Sequence, residues 1–183
     1  TVGEGKRAVT VERDEHPRPD ASMAGLAKLP TAFEKDGFVT AGNASGIVDG
    51  AAMLLLSTAE RAAELGKQPL ARLVSWAVVG VEPSRMGIGP APAIHAALAK
   101  AGMTMADLDL VEINEAFAGQ ILAVIREMEL DEEKLNVNGG AIALGHPLGA
   151  TGARITLTLL KELRRRGGGR GVPSAFIVGG QGI

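Results

Sequence analysis

The sequence predicts a layered α/β fold. Three observations carry this: apolar, β-rich runs alternate with helix-periodic stretches from residue 39 onward, three of those helices are closed by glycine, and glycine-rich turns fall where strands give way to helices. Residues 51–57 form an apolar strand candidate, followed by a helix over 59–65 stopped at Gly66. Residues 70–81 hold a strand with β-branched residues and Trp76. A helix over 90–101 places Ile94, Ala97, Leu98 and Ala101 on one side and stops at Gly102. A short strand covers 108–113, and a helix over 115–128 lines up Phe117, Ile121, Val124, Ile125 and Met128. A third long helix, 151–165, ends at the glycines of 167–169, and a last strand spans 174–178.

Residues 1–36 read differently. They are polar, charged and punctuated by Pro17, Pro19 and Pro30, which suits a surface excursion or lid. One short helix is expected over 21–29, capped by Asp20 and stopped before Pro30.

Composition excludes several function classes. With 183 residues, 46% of them apolar, the chain can build one real core. A net charge of -2 leaves no electrostatic footprint for nucleic acid, and the basic run 161–170 reads as a helix C-terminus and loop. No cysteine is present, so these residues offer no disulfide, thiolate metal site or cysteine nucleophile. Cysteine usage suits a cytoplasmic protein and leaves an organelle matrix open. The longest apolar run, 51–56, is far short of the roughly 20 residues that span a bilayer. The chain starts at Thr1 and stops just past a glycine turn, so a processed or partial chain whose sheet continues is expected.

The chemistry concentrates in residues 138–154, where five glycines, a proline and His146 precede a helix. Glycine lets backbone approach a ligand closely, and a histidine in such a loop transfers protons near neutral pH. His146, between Gly145 and Pro147, either bonds a loop carbonyl or serves an oxyanion or a thiol. Asn114 ends a strand, where it either caps the next helix or orients a water or substrate oxygen. Glu115 beside it suits the first helical turn. Ser45 lacks the Gly-x-Ser-x-Gly elbow of a serine hydrolase. His16 is expected in solvent and His95 at the surface or in packing. The three histidines have no metal-ligand spacing.

Five motifs in order resemble the thiolase family: residues 40–52, with Ala44 and Ser45; Met86-Gly87-Ile88-Gly89-Pro90; Asn114-Glu115-Ala116-Phe117; the Gly-His-Pro loop of 139–154; and Gly179-Gly180-Gln181-Gly182. The resemblance implies one βαβαβαββ half (37–183, cut before its last strand) preceded by the end of a coenzyme-A-covering loop domain (1–36). It implies acyl transfer between coenzyme A and a 3-oxoacyl-CoA through an acyl-cysteine, with CoA thioesters as substrates and no further cofactor. His146, Asn114 and the backbone at Gly179 would serve oxyanion holes. Ser45 and Ala44 would meet the pantetheine arm, and Met86 and Phe117 would line the acyl channel. Two departures stand out: the half expected to bear the nucleophilic cysteine is not in these residues, and Phe176 stands where the family has an acid/base cysteine. The expected partners are therefore an N-terminal thiolase half or cysteine-bearing subunit, in a homo- or hetero-oligomer with a bare apolar face to cover. The alternative is a non-catalytic scaffold or acyl-CoA-binding subunit.

Overall fold

A parallel pair of strands, β2 (Leu110–Ile113) and β3 (Gly171–Ser174), forms the centre of the molecule, with Leu110 opposite Gly171 and Ile113 opposite Ser174. The computed structural model describes residues 2, 3 and 5–183. Alternation along β2 sends Val111 and Ile113 to one face and Leu110 and Glu112 to the other. On the first face, Val111 and Ile113 pack with Ile94 and Leu98 of α3 (Pro90–Ala101) and Ile121, Val124 and Met128 of α4 (Ala118–Met128). On the second, Leu110 meets Leu159 and Leu163 of α6 (Thr151–Arg165). This helix–sheet–helix sandwich is the predicted α/β layering. Each fully buried aliphatic contributes about 1.5–3 kcal/mol.

The helices with strong local signals match expectation. α3 starts on Pro90 and closes at Gly102, and α6 has the predicted bounds. α2 (Ala59–Glu64) begins on the Thr58 cap, whose side chain accepts from the Arg61 amide. Elsewhere the structure corrects the sequence reading. α1 covers only Met23–Leu26, and its cap is Ser22, which accepts from the Gly25 amide, rather than Asp20. α4 begins at Ala118 instead of residue 115, because residues 115–117 are drawn out to pair with the turn at 43–45.

The strands depart furthest. Residues 51–57 form no strand, and of 70–81 only β1 (Val79–Gly80), antiparallel to β5 (Gln181–Gly182), and Val81, whose amide donates to the Gly180 carbonyl at 2.8 Å, are paired. Among the described residues, 48–57 and 68–78 make no backbone–backbone hydrogen bond. The period-two pattern nevertheless persists. Ala77 is buried and Ser75 donates to the Ala97 carbonyl of α3, while Val74, Trp76 and Val78 face outward. Met53 and Leu55 are 89% and 90% exposed. A strand needs a neighbour's amides and carbonyls, and none among the described residues bonds to the backbone of these segments. The predicted strand at 174–178 also divides. β3 ends at Ser174, Ala175 exchanges two backbone bonds with Ile183, and β4 (Phe176–Ile177) joins β5.

Candidate functional site

Three loops converge at the C-terminal end of β2, the edge where ligands gather in open α/β sheets. The turn at 43–47 stitches the other two together. The Ser45 amide donates to the Ala116 carbonyl at 2.9 Å, and the Ala118 amide donates to the Asn43 carbonyl at 2.8 Å. Ala44 thereby bridges Phe117. On its other side, the His146 amide donates to the Gly46 carbonyl at 2.8 Å. Ala44, Ser45, Asn114, Phe117 and His146, drawn from three separate stretches of the sequence, thus form one constellation.

His146 is half-buried. Its Nε2 lies 3.4 Å from the Asn114 Nδ2, and its Nδ1 lies 2.6 Å from the Thr151 hydroxyl. Neither ring nitrogen meets a backbone carbonyl, so the carbonyl-bonding reading is replaced by a side-chain network. Burial, and secondarily the Arg154 charge, hold its pKa below the usual histidine value. Asn114 is buried. Its amide donates to the Ser174 carbonyl at 3.0 Å, tying it to β3, and its Oδ1 is buried with no hydrogen-bond partner. It is not the cap of α4, a position that Phe117 occupies. The side chain is left free to face His146.

Glu115 braces the two loops. Its carboxylate accepts from the Asn136 side-chain amide at 2.8 Å and from the Ile142 backbone amide at 3.3 Å. The carboxylate sits where a Cβ on Gly140 would lie, so a side chain at residue 140, at the start of α5 (Ala141–Leu144), would push the Glu115 carboxylate out of this brace. Asn136, itself in a left-handed conformation (φ 46), exchanges hydrogen bonds with the amide and carbonyl of Ile113 and so completes the strand edge. The pair Asn136 and Asn138 ahead of two glycines was the available sequence signal for this brace.

His16 is not in solvent as expected. It is half-buried, its ring nitrogen lies 3.1 Å from the Ile142 carbonyl, and the ring packs on Gly46, where a Cβ would collide with it. The polar excursion therefore touches both loops that hold His146. Beneath them, Glu112 is buried, and its pKa is pushed up to about 7, chiefly by burial, with Arg154 opposing and Glu115 and Glu162 adding to the rise. Glu162 is held well below the usual carboxylate range by hydrogen bonds from Arg165 and Arg166.

Met86 and Gly179 stand apart from this constellation. Met86 lies in a 3-10 stretch pinned to α4 by the bond from Gln120 Nε2 to the Gly87 carbonyl at 3.1 Å. Gly179 is exposed in the β4–β5 turn with φ 95. No hydrogen bond links either residue to His146 or Asn114. Phe176 is half-buried in β4 opposite Gly182. His95 is exposed on α3, and among the described residues no group of histidines and carboxylates could hold a metal. No described helix is long and apolar enough to cross a membrane.

A parallel strand pair sandwiched by helices, with a Gly-His-Pro loop set against an Asn-Glu-Ala-Phe turn, defines a thiolase-type domain. The chain belongs to the thiolase family: the family's C-terminal domain matches residues 67–183 and its N-terminal domain residues 1–60. Among curated relatives, the mitochondrial 3-ketoacyl-CoA thiolase of Homo sapiens is 58% identical over 95% of this chain and 44% of its own length. The acetyl-CoA acetyltransferase of Rhizobium meliloti is 54% identical over 97% of this chain and 45% of its own. Among solved structures, the Bacillus anthracis acetyl-CoA acetyltransferase superposes with a TM-score of 0.93 at 55% identity, covering 99% of this chain and 46% of that one. Human mitochondrial 3-ketoacyl-CoA thiolase in complex with CoA gives 0.87 at 52% identity, covering 94% and 44%. The chain spans less than half the length of these relatives.

Proposed function

We propose that these residues supply the oxyanion-side half of a thiolase-type acyltransferase, which moves an acyl group between coenzyme A and a 3-oxoacyl-CoA. The observation that carries this reading is the His146–Asn114 pair at 3.4 Å, held by three interlocked loops with the Asn114 Oδ1 left unpartnered. A thiol from an N-terminal thiolase half or a cysteine-bearing subunit would give its proton to His146. The thiolate would add to the thioester carbonyl and expel CoA thiolate, leaving an acyl-cysteine. The imidazolium and the Asn114 site would stabilise the carbonyl oxygen as it gains charge. Ala44 and Ser45 would meet the pantetheine arm, Met86 and Phe117 the acyl group, and the Gly179 turn the second oxyanion. Residues 1–36 would cover the coenzyme and 37–183 would form the catalytic half.

Phe176 favours a second reading, a scaffold or acyl-CoA-binding subunit. Claisen chemistry needs a base beside the thioester, and a phenyl ring moves no proton. Its presence should cost on the order of 10²–10⁴-fold. Thiolysis of acetoacetyl-CoA, assayed with a cysteine-bearing half and with either Phe176 or Phe176→Cys, decides between the readings. Turnover restored by Phe176→Cys supports the acyltransferase half. Inactivity of both, in a complex that still binds CoA, supports the scaffold.

A further inference from the structure

The hydrogen bonds around His146 reach beyond the acyl-transfer reading to the ring's protonation state. Thr151, the first residue of α6, is fully buried. Its Oγ1 lies 2.6 Å from His146 Nδ1 and 3.1 Å from the Pro147 carbonyl one turn back. That carbonyl can only accept, and a hydroxyl has a single proton to give. With the proton directed to Pro147, Oγ1 can only accept from His146, so Nδ1 carries the hydrogen and Nε2 the lone pair. The far side of the ring agrees. Nε2 faces Asn114 Nδ2, which has two hydrogens to donate, at 3.4 Å. The other tautomer would aim an N–H at that amide. As placed, the Asn114 amide offers Nε2 a donor, and its Oδ1 is buried with no donor of its own.

We infer that Thr151 is a positioning residue: its hydroxyl, engaged with the Pro147 carbonyl, holds His146 as the Nδ1–H tautomer and presents Nε2 beside Asn114 as a proton acceptor. In the acyl-transfer reading, on which only the use of Nε2 rests, the resting ring is thus set to take a thiol proton. It becomes an oxyanion donor only after doing so.

The test is two-bond 1H–15N correlation of the imidazoles in the 15N-labelled 183-residue chain at pH 8, with His146 assigned by the signal lost in His146→Gln. Wild type and Thr151→Ser should both show the Nδ1–H pattern. Thr151→Val, and Thr151→Ala should the valine not fold, should lose it for half or more of the population. An Nε2–H pattern in wild type overturns the inference, as does an unchanged Nδ1–H pattern in the folded valine or alanine variant. Failure of the acyl-transfer reading is distinguishable: it appears as no thiolysis with a cysteine-bearing half while these spectra hold.

Discussion

Residues 48–78 and residues 90–175 are both rich in apolar side chains and meet opposite fates. In the second stretch, Ile94, Ile113 and Val124 are sealed between a strand pair and two helices. In the first, Met53, Leu55, Val74 and Trp76 stand in solvent. The difference lies in partners, since a strand obtains its backbone hydrogen bonds and one buried face from other segments. The unpaired rows leave apolar side chains exposed in the way that marks association surfaces, and whether a further half or subunit covers them is for experiment to decide.

The comparison predicts its largest contrast in amide hydrogen exchange. Amides of 48–57 and 68–78 should exchange orders of magnitude faster than those of β2 and β3, because their opening free energy is near zero. Addition of a cysteine-bearing thiolase half should slow them, and protection already present in a monomer would break the contrast. The same exposed side chains should drive association of the chain at micromolar concentration. Trp76→Asp should raise the dissociation constant by about 10–100-fold in sedimentation velocity. A monodisperse wild-type monomer would refute this.

Smaller effects sharpen the contrast. Ile94→Ala should cost about 2–5 kcal/mol in urea unfolding, against less than about 0.5 kcal/mol for Leu55→Ala in the same chain. Glu112 adds a pH signature. Its carboxyl titrates near 7 when folded against 4.5 ordinarily. The folded state therefore favours the neutral acid, and that contribution is complete below 4.5 and lost as pH rises through 7. Glu112→Gln should gain about 3 kcal/mol on wild type between pH 4.5 and 8. A flat difference across that range would remove Glu112 as its source. His16→Ala should cost only about 1 kcal/mol, and the exchange protection of residues 142–147 should fall with it.

Within the candidate site, legibility followed locality. His146 and Asn114 were visible because a glycine-rich loop and a strand-to-helix junction are written in adjacent residues. Asn136 and His16 were not, because each acts through a contact whose other end lies far along the chain; Thr151 bonds only four and five residues back, yet its meeting with the His146 ring depends on how the loop between them folds. His16 illustrates this: its neighbours in sequence are charged and polar, yet its ring packs on Gly46 and reaches the Ile142 carbonyl, 126 residues away. Asn114 was visible as a junction residue, but its role as a cap could be decided only once residues 115–117 were seen paired with the turn at 43–45.

By itself the sequence determined α3 and α6 to the residue, the apolar stripe of α4, the α/β layering and the family. These rest on periodicity, proline and glycine punctuation, and contiguous motifs, all of them short-range. Only the tertiary structure decided that 51–57 and most of 70–81 are unpaired, that α4 starts three residues late, and which groups flank the His146 ring. Strand pairing and side-chain hydrogen bonds join residues distant in sequence, and their free energy exists only when both ends are in place.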